Sequence, residues 1–493
     1  MSSKLKNLGL IGFGMFAGVA ASLQYSALAQ KNVPATLPLE KLSEFSEVFG
    51  MIKSDYVEPV DDEKLLSEAI SGMVSSLDPH SAYLDKKAFK ELKEGTEGKF
   101  VGLGIEVAME DGYVKIVSPI EDSPAFRAGL QPGDLITRID SVPIKGLSID
   151  DAVKKMRGEP GTKIVLTIAR KSEDKPIVVN LVRELIKQHS VKSKMVEPGY
   201  AWLRISQFQE PTVDELAKKI QALYVQDPQL KGLVLDLRND PGGVLPGAVG
   251  VSAAFLPKDV PVVSTNGQVE DSKAVYYAKR EFYGARAGND PLTKLPAAIK
   301  TVPLVVLINT GSASASEIVA GALQDYQRAT ILGTRSFGKG SVQTVHQISE
   351  DTGIKITTAR YYTPNGRAIQ AKGIMPDLYV EETENGDGFN SFRSREIDLD
   401  KHLKNDKEAE KAVDQEKSRI DELEEEQRLV ALAKKSKPLE FGSKEDFQLR
   451  QALNHLKGLP VKVAVAPDDK VDEQAPKALP ATKKTKSDQK KKQ

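Results

Sequence analysis

Read for spacing alone, the chain changes period several times. Leu42, Phe45, Val48, Phe49 and Ile52 fall on one face of a 3.6-residue helix, and Leu66, Ala69, Ile70 and Met73 repeat the pattern beyond Pro59. The stretch "LDPHSAYLD", Leu77 to Asp85, breaks the period and reads as a turn. From about Glu97 to Arg183 the pattern is β-rich: "GLGIEV" (Gly102 to Val107), "YVKIVSPI", "LITRID" and "TKIVLTIAR" are short strands, and "LQPGD" is a turn. One helix interrupts them, "SIDDAVKKMRG", with Ser148 as its N-cap and Gly158 at its end. From about His189 the continuous apolar runs "YAWLRI", "GLVLDLR" and "VPLVVLI" alternate with helical runs over Thr212 to Gln226 and Ser316 to Ala329. That alternation predicts a sheet covered on both faces. "KGSVQTVHQI" and "IKITTARYYT" then predict a hairpin that turns at Glu350 to Gly353.

Past about Glu381 the composition shifts. Asp406 to Lys437 is charged throughout, with a thin apolar stripe of Val413, Ile420, Leu423 and Val430, and predicts an exposed helix. Ser443 and Asp446 have the spacing of a capping box before "FQLRQALNHLKG". The stretch from about Ala466, rich in Lys, Pro, Ala and Asp, predicts disorder. Its lysine cluster leaves peripheral contact with an anionic membrane open beside a purely solubilising role.

The first residues depart from all of this. Lys4 and Lys6 precede an apolar run from Leu8 to Leu23, and Ala27-Leu28-Ala29 follows as an A-x-A cleavage signature. This is the form of a secretory signal peptide cut after Ala29, and the run is short for a membrane span. The expectation is a periplasmic protein. The chain has 493 residues, enough for several domains, and no cysteine, so disulfides and thiolate metal sites are excluded. Its 69 basic and 69 acidic residues cancel, so no global field favours nucleic acid.

"GTRSFGKGS", Gly333 to Ser341, resembles a phosphate-binding loop with one residue wrong. Such a loop needs a Ser or Thr hydroxyl after the lysine for magnesium and a helix immediately downstream. Gly340 stands at the hydroxyl position, and a strand-like segment follows. Nucleotide binding is therefore rejected, and Lys339 needs another role.

A hydroxyl partner lies upstream. In "VPLVVLINTGSASASEIVAGAL" a buried strand runs into a small-residue turn and a helix beginning near Ala315 or Ser316, with Glu317 in its first turn. Serial N-capping explains such a run of serines. The other reading is a nucleophile elbow, with one serine exposed on a strand-turn-helix corner and unpaired N–H groups of the helix start facing an oxyanion. A serine needs a base. The five histidines offer no triad with supporting context. A lysine serves if burial keeps it neutral. Lys339 sits between glycines that give it clearance, and Gln343 is placed to reach it. A second turn, "VLDLRNDPGG", ends in Gly242 and Gly243 and offers a further backbone N–H at the same sheet edge.

"DLRNDPGG", "NTGSASASEIVAGALQDYQRATILGTRSFGKGSVQ" and "ARYYTPNGRAIQAKGIMPD" resemble the carboxyl-terminal processing peptidases, or tail-specific proteases, which are Ser-Lys endopeptidases carrying a PDZ domain. The resemblance runs from about Leu39 to Val380, and "FGSKEDFQLRQALNHLKG" resembles the C-terminal segment of Gram-negative members. It implies Ser314 as nucleophile, Lys339 as general base and Gln343 as its positioning residue, with oxyanion donors from Ala315 and from Gly242 or Gly243. Asp240 stands where the family usually has asparagine. "GLGI", Gly102, Leu103, Gly104 and Ile105, resembles a PDZ carboxylate-binding loop. The implied fold is a multidomain α/β protein. Its parts are a signal peptide (1–29), a helical segment (30–96), an inserted β-rich PDZ domain (97–183), a protease core with a mixed sheet and flanking helices (184–380), a charged helical segment (381–465) and a disordered basic tail (466–493). The implied partners are proteins or peptides with accessible C-termini, with no nucleic acid, nucleotide, metal or cofactor. A homodimer or an adaptor protein stays open, and so does a non-catalytic PDZ scaffold.

Overall fold

The computed structural model describes residues 38–110, 112–120, 122–284, 290–384, 386, 394–406 and 440–465. The expected signal peptide, the charged helix beyond Asp406 and the tail from Ala466 lie outside the described residues. Among the described residues no helix is long and apolar enough to cross a membrane. The chain divides into two compact units, Met1–Ile70 and Ser71–Gln493. In the first, helix α1 (Leu39–Asp55) and the start of α2 (Asp62–Ser75) are separated around Pro59, as the spacing predicts. Leu42, Phe45 and Val48 on the α1 stripe are exposed.

In the second unit the expected turn at Leu77–Asp85 contains a short strand, β1 (Ala82–Leu84). Helix α3 (Lys86–Glu97) is capped by the Asp85 side chain, which accepts the Ala88 N–H, and is closed by Gly98. Strand β2 (Lys99–Gly102) leads into a separate sheet. Its members are β3 (Ile105–Glu110), β4 (Tyr113–Pro119), β5 (Leu135–Ile139), β6 (Val142–Pro143), β7 (Lys163–Ala169) and β8 (Ile177–Val182), with helix α4 (Ile149–Met156) packed on it. The order β3-β4-β5-β7-β8 makes β3 an edge. Val114 and Ile116, then Ile164, Leu166 and Ile168, alternate inward as a half-buried strand requires. Ser148 caps α4 as expected, but the helix stops at Met156 because Arg157 is extended, short of Gly158. The chain leaves through β9 (Glu184–Lys187), which pairs back onto β2.

The core sheet is built from β10 (Val191–Glu197), β11 (Tyr200–Ile205), β12 (Gly232–Asp236), β15 (Leu304–Ile308), β16 (Thr330–Gly333) and β19 (Leu378–Tyr379), in that order. Only the β10–β11 pair is antiparallel, so the sheet is mixed. Between its strands run α5 (Thr212–Gln226), α6 (Leu245–Phe255) and α7 (Ala315–Asp325). β12 and β15 are buried at every position, which is why they read as unbroken apolar runs. Leu233, Leu235, Val306 and Ile308 pack with α5, α6 and α7, whereas Val234, Val305 and Leu307 face helix α8 (Phe447–Leu456) on the other side. α7 is shorter than its sequence pattern, ending at Asp325 before Gln327 takes a φ of 51°.

The cap of α8 is Asp446 alone, accepting the Leu449 N–H, and not the expected Ser443–Asp446 box. Asp446 has a second obligation that fixes it there. Its carboxylate and that of Asp236 hold the fully buried Arg238 guanidinium at 2.7 and 2.6 Å, which ties α8 to the end of β12. A second sheet pairs β1 with β18 (Gly353–Tyr362), and β18 with β13 (Pro261–Gly267) and β17 (Ser341–Gln347). β17 and β18 are the predicted hairpin.

Candidate active site

The carboxyl ends of β12 and β15 converge, the usual place for a site in a sheet of this kind. Beyond β15 the chain turns sharply at Ser314, which has φ 54° and ψ −112° and is followed at once by α7. A positive φ on a non-glycine residue stores strain, and a strand-turn-helix corner of this form lifts one side chain clear of the sheet. The neighbouring serines are spent. Ser312 Oγ donates to the Leu237 carbonyl at 2.8 Å and accepts the Asn309 N–H, and Ser316 Oγ donates to the Asp240 carbonyl at 3.0 Å. The Ser314 hydroxyl lies in the half-buried space at the corner, hydrogen-bonded to the Tyr361 hydroxyl.

The glycine loop is stitched to this turn, with Ala313 N–H donating to the Asp240 carbonyl at 3.0 Å. Gly242 has φ 94°, and a Cβ there would come within 2.8 Å of both Ser314 Cβ and Ala315 N, so only glycine fits. The N–H of Gly242 is already committed, donating to Asp240 Oδ1 at 2.9 Å. Ala315 N–H, at the first turn of α7, and Gly243 N–H have no partner among the described residues. Unpaired backbone donors are rare where the chain folds back on itself, and here two flank the Ser314 turn. Asp240 is fully buried and its Oδ2 has no hydrogen bond, so burial pushes its carboxyl well above the usual carboxylate range.

Lys339 lies on the loop between β16 and β17, half-buried. Burial, assisted by the Lys355 ammonium, pushes its amine down to about 8 against the opposing pull of Glu396, Glu317 and Asp78. Its Nζ makes no hydrogen bond or ion pair among the described residues. Glu317 joins the two halves. Its fully buried carboxylate accepts N–H groups from Ser314 (2.8 Å), Gly338 (2.7 Å) and Lys339 (3.0 Å), and the Ser336 hydroxyl at 2.6 Å. Burial pushes Glu317 up to about 7, with those four donors pulling the other way. The Tyr361 hydroxyl donates to the Lys339 carbonyl.

Two expectations change. Gln343 makes no hydrogen bond to Lys339 among the described residues: its amide donates to Ser341 Oγ at 3.0 Å and Thr357 Oγ1 at 3.2 Å, beside a bulge between Val342 and Gln343 in the hairpin. Nor do the glycines serve as clearance for the lysine. A Cβ on Gly340 would lie 2.3 Å from Gln370 N, so it is the neighbouring loop that needs the space. Glu317 was visible in the sequence only as a first-turn carboxylate. Tyr361, Asp78, His80 and Glu396 carried no local signal.

Gly102 ends β2, and Leu103 and Gly104 lead to Ile105 at the start of β3. Their carbonyls are used, Leu103 O by Ala125 N–H and Gly104 O by Ile120 N–H, but the N–H groups of Leu103 and Gly104 are buried and donate to nothing among the described residues. They open beside the free edge of β3. No cluster of His, Asp and Glu suited to a metal occurs among the described residues.

Known proteins resemble this chain over most of its length. Residues 199–380 match the family profile described as peptidase family S41, residues 115–170 that of a PDZ domain, and residues 11–88 that of the activating protease CtpB N-terminal domain. A carboxy-terminal-processing protease of Bartonella bacilliformis is 42% identical over 402 residues, covering 81% of this chain and 88% of that one. A probable CtpA-like serine protease of Staphylococcus aureus is 36% identical over 374 residues, covering 76% of this chain and 71% of the relative. Among solved structures, a photosystem II D1 C-terminal processing protease is 30% identical over 68% of this chain and 86% of its own, with a TM-score of 0.39. The chain belongs to the carboxy-terminal-processing proteases of peptidase family S41. It is a serine peptidase, a hydrolase, with a PDZ domain.

Proposed function

We propose that this protein is an endopeptidase that captures the C-termini of exported proteins on its PDZ domain and cleaves them with a Ser314–Lys339 dyad. The observation that carries the reading is Glu317, one buried carboxylate that accepts the backbone N–H of both Ser314 and Lys339 and so fixes the two turns against each other. Neutral Lys339 takes the Ser314 proton as Oγ bonds to the scissile carbonyl carbon. The carbonyl oxygen becomes an oxyanion on the free N–H groups of Gly243 and Ala315. Collapse breaks the C–N bond, and the Lys339 ammonium protonates the departing amine. Lys339 then takes a proton from water as the water bonds to the Ser314 ester carbon, and returns it to Ser314 Oγ as the C–O bond breaks, which releases the acid and restores the hydroxyl and the neutral amine. Gln343 acts through Ser341 and the hairpin and not by touching the amine. At the PDZ domain, the N–H groups of Leu103 and Gly104 take the terminal carboxylate and the peptide adds as a strand on β3. The basic, apolar and A-x-A sequence before Gln30 supports export.

Titrating the full chain with a fluorophosphonate probe tests the dyad. Wild type should be phosphonylated at Ser314 with loss of fluoride, faster as pH rises through about 8, while Ser314→Ala should not label and Lys339→Ala should label at a small fraction of the wild-type rate. Full-rate labelling of Lys339→Ala would remove the lysine from the mechanism. Peptide binding without any probe labelling of wild type would favour the scaffold reading.

A further inference from the structure

In the turn before the PDZ domain, Asp78 and Ser81 are buried, and two hydrogen-bonded chains leave it. In the first, Asp78 Oδ1 accepts the Thr357 hydroxyl at 3.1 Å, and that hydroxyl oxygen accepts Gln343 Nε2 at 3.2 Å. The same Gln343 nitrogen also donates to Ser341 Oγ at 3.0 Å. Ser81 locks this chain, donating to Asp78 Oδ2 at 2.7 Å and accepting the Thr357 N–H at 3.1 Å. In the second chain, His80 Nε2 lies 2.7 Å from Glu396 Oε2, and Gln370 Nε2 donates to Glu396 Oε1 at 2.8 Å. Gln370 Oε1 in turn accepts the Gly340 N–H at 2.9 Å, and Glu396 N–H donates to the Phe337 carbonyl at 3.1 Å. β1 continues the contact by pairing Ala82 with Lys355 and Leu84 with Gly353. The two chains therefore end on Gly340, Ser341 and Gln343, at and just beyond the residue that follows Lys339.

We propose that Asp78 and His80 are positioning residues for Lys339, Asp78 acting through Thr357 and Gln343, and His80 through Glu396 and Gln370. This rests on the reading of Lys339 as the base. Three carboxylates face that amine, Glu396, Glu317 and Asp78, and each favours its charged form; Lys355 on β18 opposes them, and the Tyr361 hydroxyl sits at the Lys339 carbonyl. A base needs to be held among such groups without being captured by one. The turn supplies that condition. Burial alone would raise the Asp78 carboxyl, but hydrogen bonds from the Ser81 hydroxyl, the His80 N–H and the Thr357 hydroxyl outweigh it and occupy its oxygens. Both oxygens of the fully buried Glu396 are likewise engaged, by His80 and Gln370.

The pH dependence of kcat and KM on an unstructured peptide tests this in the full chain, comparing wild type with His80→Ala, His80→Gln, Glu396→Gln, Asp78→Asn and Lys339→Ala. His80→Ala should lower kcat by on the order of tenfold to a hundredfold with KM little changed, since it lets the loop shift. His80→Gln, which keeps a donor for Glu396, should recover most of that loss. Glu396→Gln and Asp78→Asn each remove a carboxylate facing Lys339, so the rising limb of the profile should move to lower pH by on the order of half a unit or more. A purely structural role would not move that limb. Wild-type kcat in His80→Ala, with unmoved limbs in Glu396→Gln and Asp78→Asn, overturns the proposal. If thermal melting shows His80→Ala unfolded, the other two profiles decide alone. Activity surviving in Lys339→Ala overturns the reading of the base itself. An inactive Lys339→Ala with unmoved limbs overturns only the positioning assignment.

Discussion

Leu103 with Gly104, and Gly243 with Ala315, are two pairs of backbone N–H groups without partners among the described residues, and they differ in everything else. At Leu103 and Gly104 the donors stand at the mouth of a sheet edge with apolar residues behind them, and no titratable side chain hydrogen-bonds either N–H. At Gly243 and Ala315 the donors flank a strained serine, and within the same few residues lie a buried glutamate, a lysine pushed down to about 8 and a tyrosine. The physical device is the same, an amide nest for negative oxygen. The first suits a charge that already exists on the ligand, the second a charge that exists only during reaction. Holding an anion and making one thus differ by the titratable groups, which gather at the Ser314 turn.

The sharpest way to break that comparison is to delete the chemistry and keep the donors. Ser314→Ala should lower kcat by about four orders of magnitude or more, while the affinity of the PDZ domain for a C-terminal peptide, measured by fluorescence anisotropy, should stay unchanged. A parallel fall in peptide affinity would mean that the two amide pairs form one site.

A smaller effect separates the two folds that carry the sites. Asp446→Ala leaves the Arg238 guanidinium buried with half its partners, at a cost of about 3–5 kcal/mol. Arg238 belongs to the β12 end that leads into the glycine loop. Hydrogen exchange should therefore show the sheet of β12 and β15 opening more often, while the Ile116 and Leu166 core of the PDZ domain keeps its protection. Equal loss in both cores would show that they unfold as one unit.

How much of this was legible in the sequence follows the range of each interaction. β12 and β15 announce themselves because both of their faces are buried, so every position is apolar. Ser314 and Lys339 are legible because each sits in a local pattern, a small-residue corner and a failed phosphate loop. Ser443 misled because a capping box is a local rule, and Asp446 obeys instead a guanidinium 208 residues away. Gln343 misled because strand parity says nothing about a bulge or about Thr357 on the next strand. His80 and Glu396 are separated by 316 residues, and no spacing rule reaches that far. The sequence left Gly242 and Gly243 equal as donors; what separates them is that the Gly242 N–H donates to Asp240, which is a fact of geometry.

The PDZ donors can be tested from the ligand side. A peptide whose C-terminus is amidated loses the charge that Leu103 and Gly104 would hold. Charge-assisted hydrogen bonds are worth about 1.5–3 kcal/mol, so KM should rise roughly tenfold to a hundredfold, with kcat at saturation nearly preserved. A fall in kcat at unchanged KM would instead place the terminal carboxylate in the protease site.

The finest test concerns the two titrating groups at the serine turn. The dyad needs Lys339 neutral, and its amine sits at about 8. It also needs Glu317 ionised, because four donors converge on that carboxylate and a proton there would break part of the brace; burial has pushed it up to about 7. As pH falls, one group gains a proton first and the other second, and both losses reduce the active fraction. The logarithm of kcat/KM should therefore rise with pH with a slope near one between about 7 and 8 and approach two below about 7. The groups interact, so these are properties of the pair. Glu317→Gln should return the slope to one throughout, and should move the limb to lower pH because a negative charge beside Lys339 is gone, at a cost of on the order of tenfold in kcat from the weakened brace. A wild-type slope of one at every pH would mean that Glu317 holds the turns equally well in either protonation state, and that Lys339 alone separates the reacting pair of amides from the binding pair.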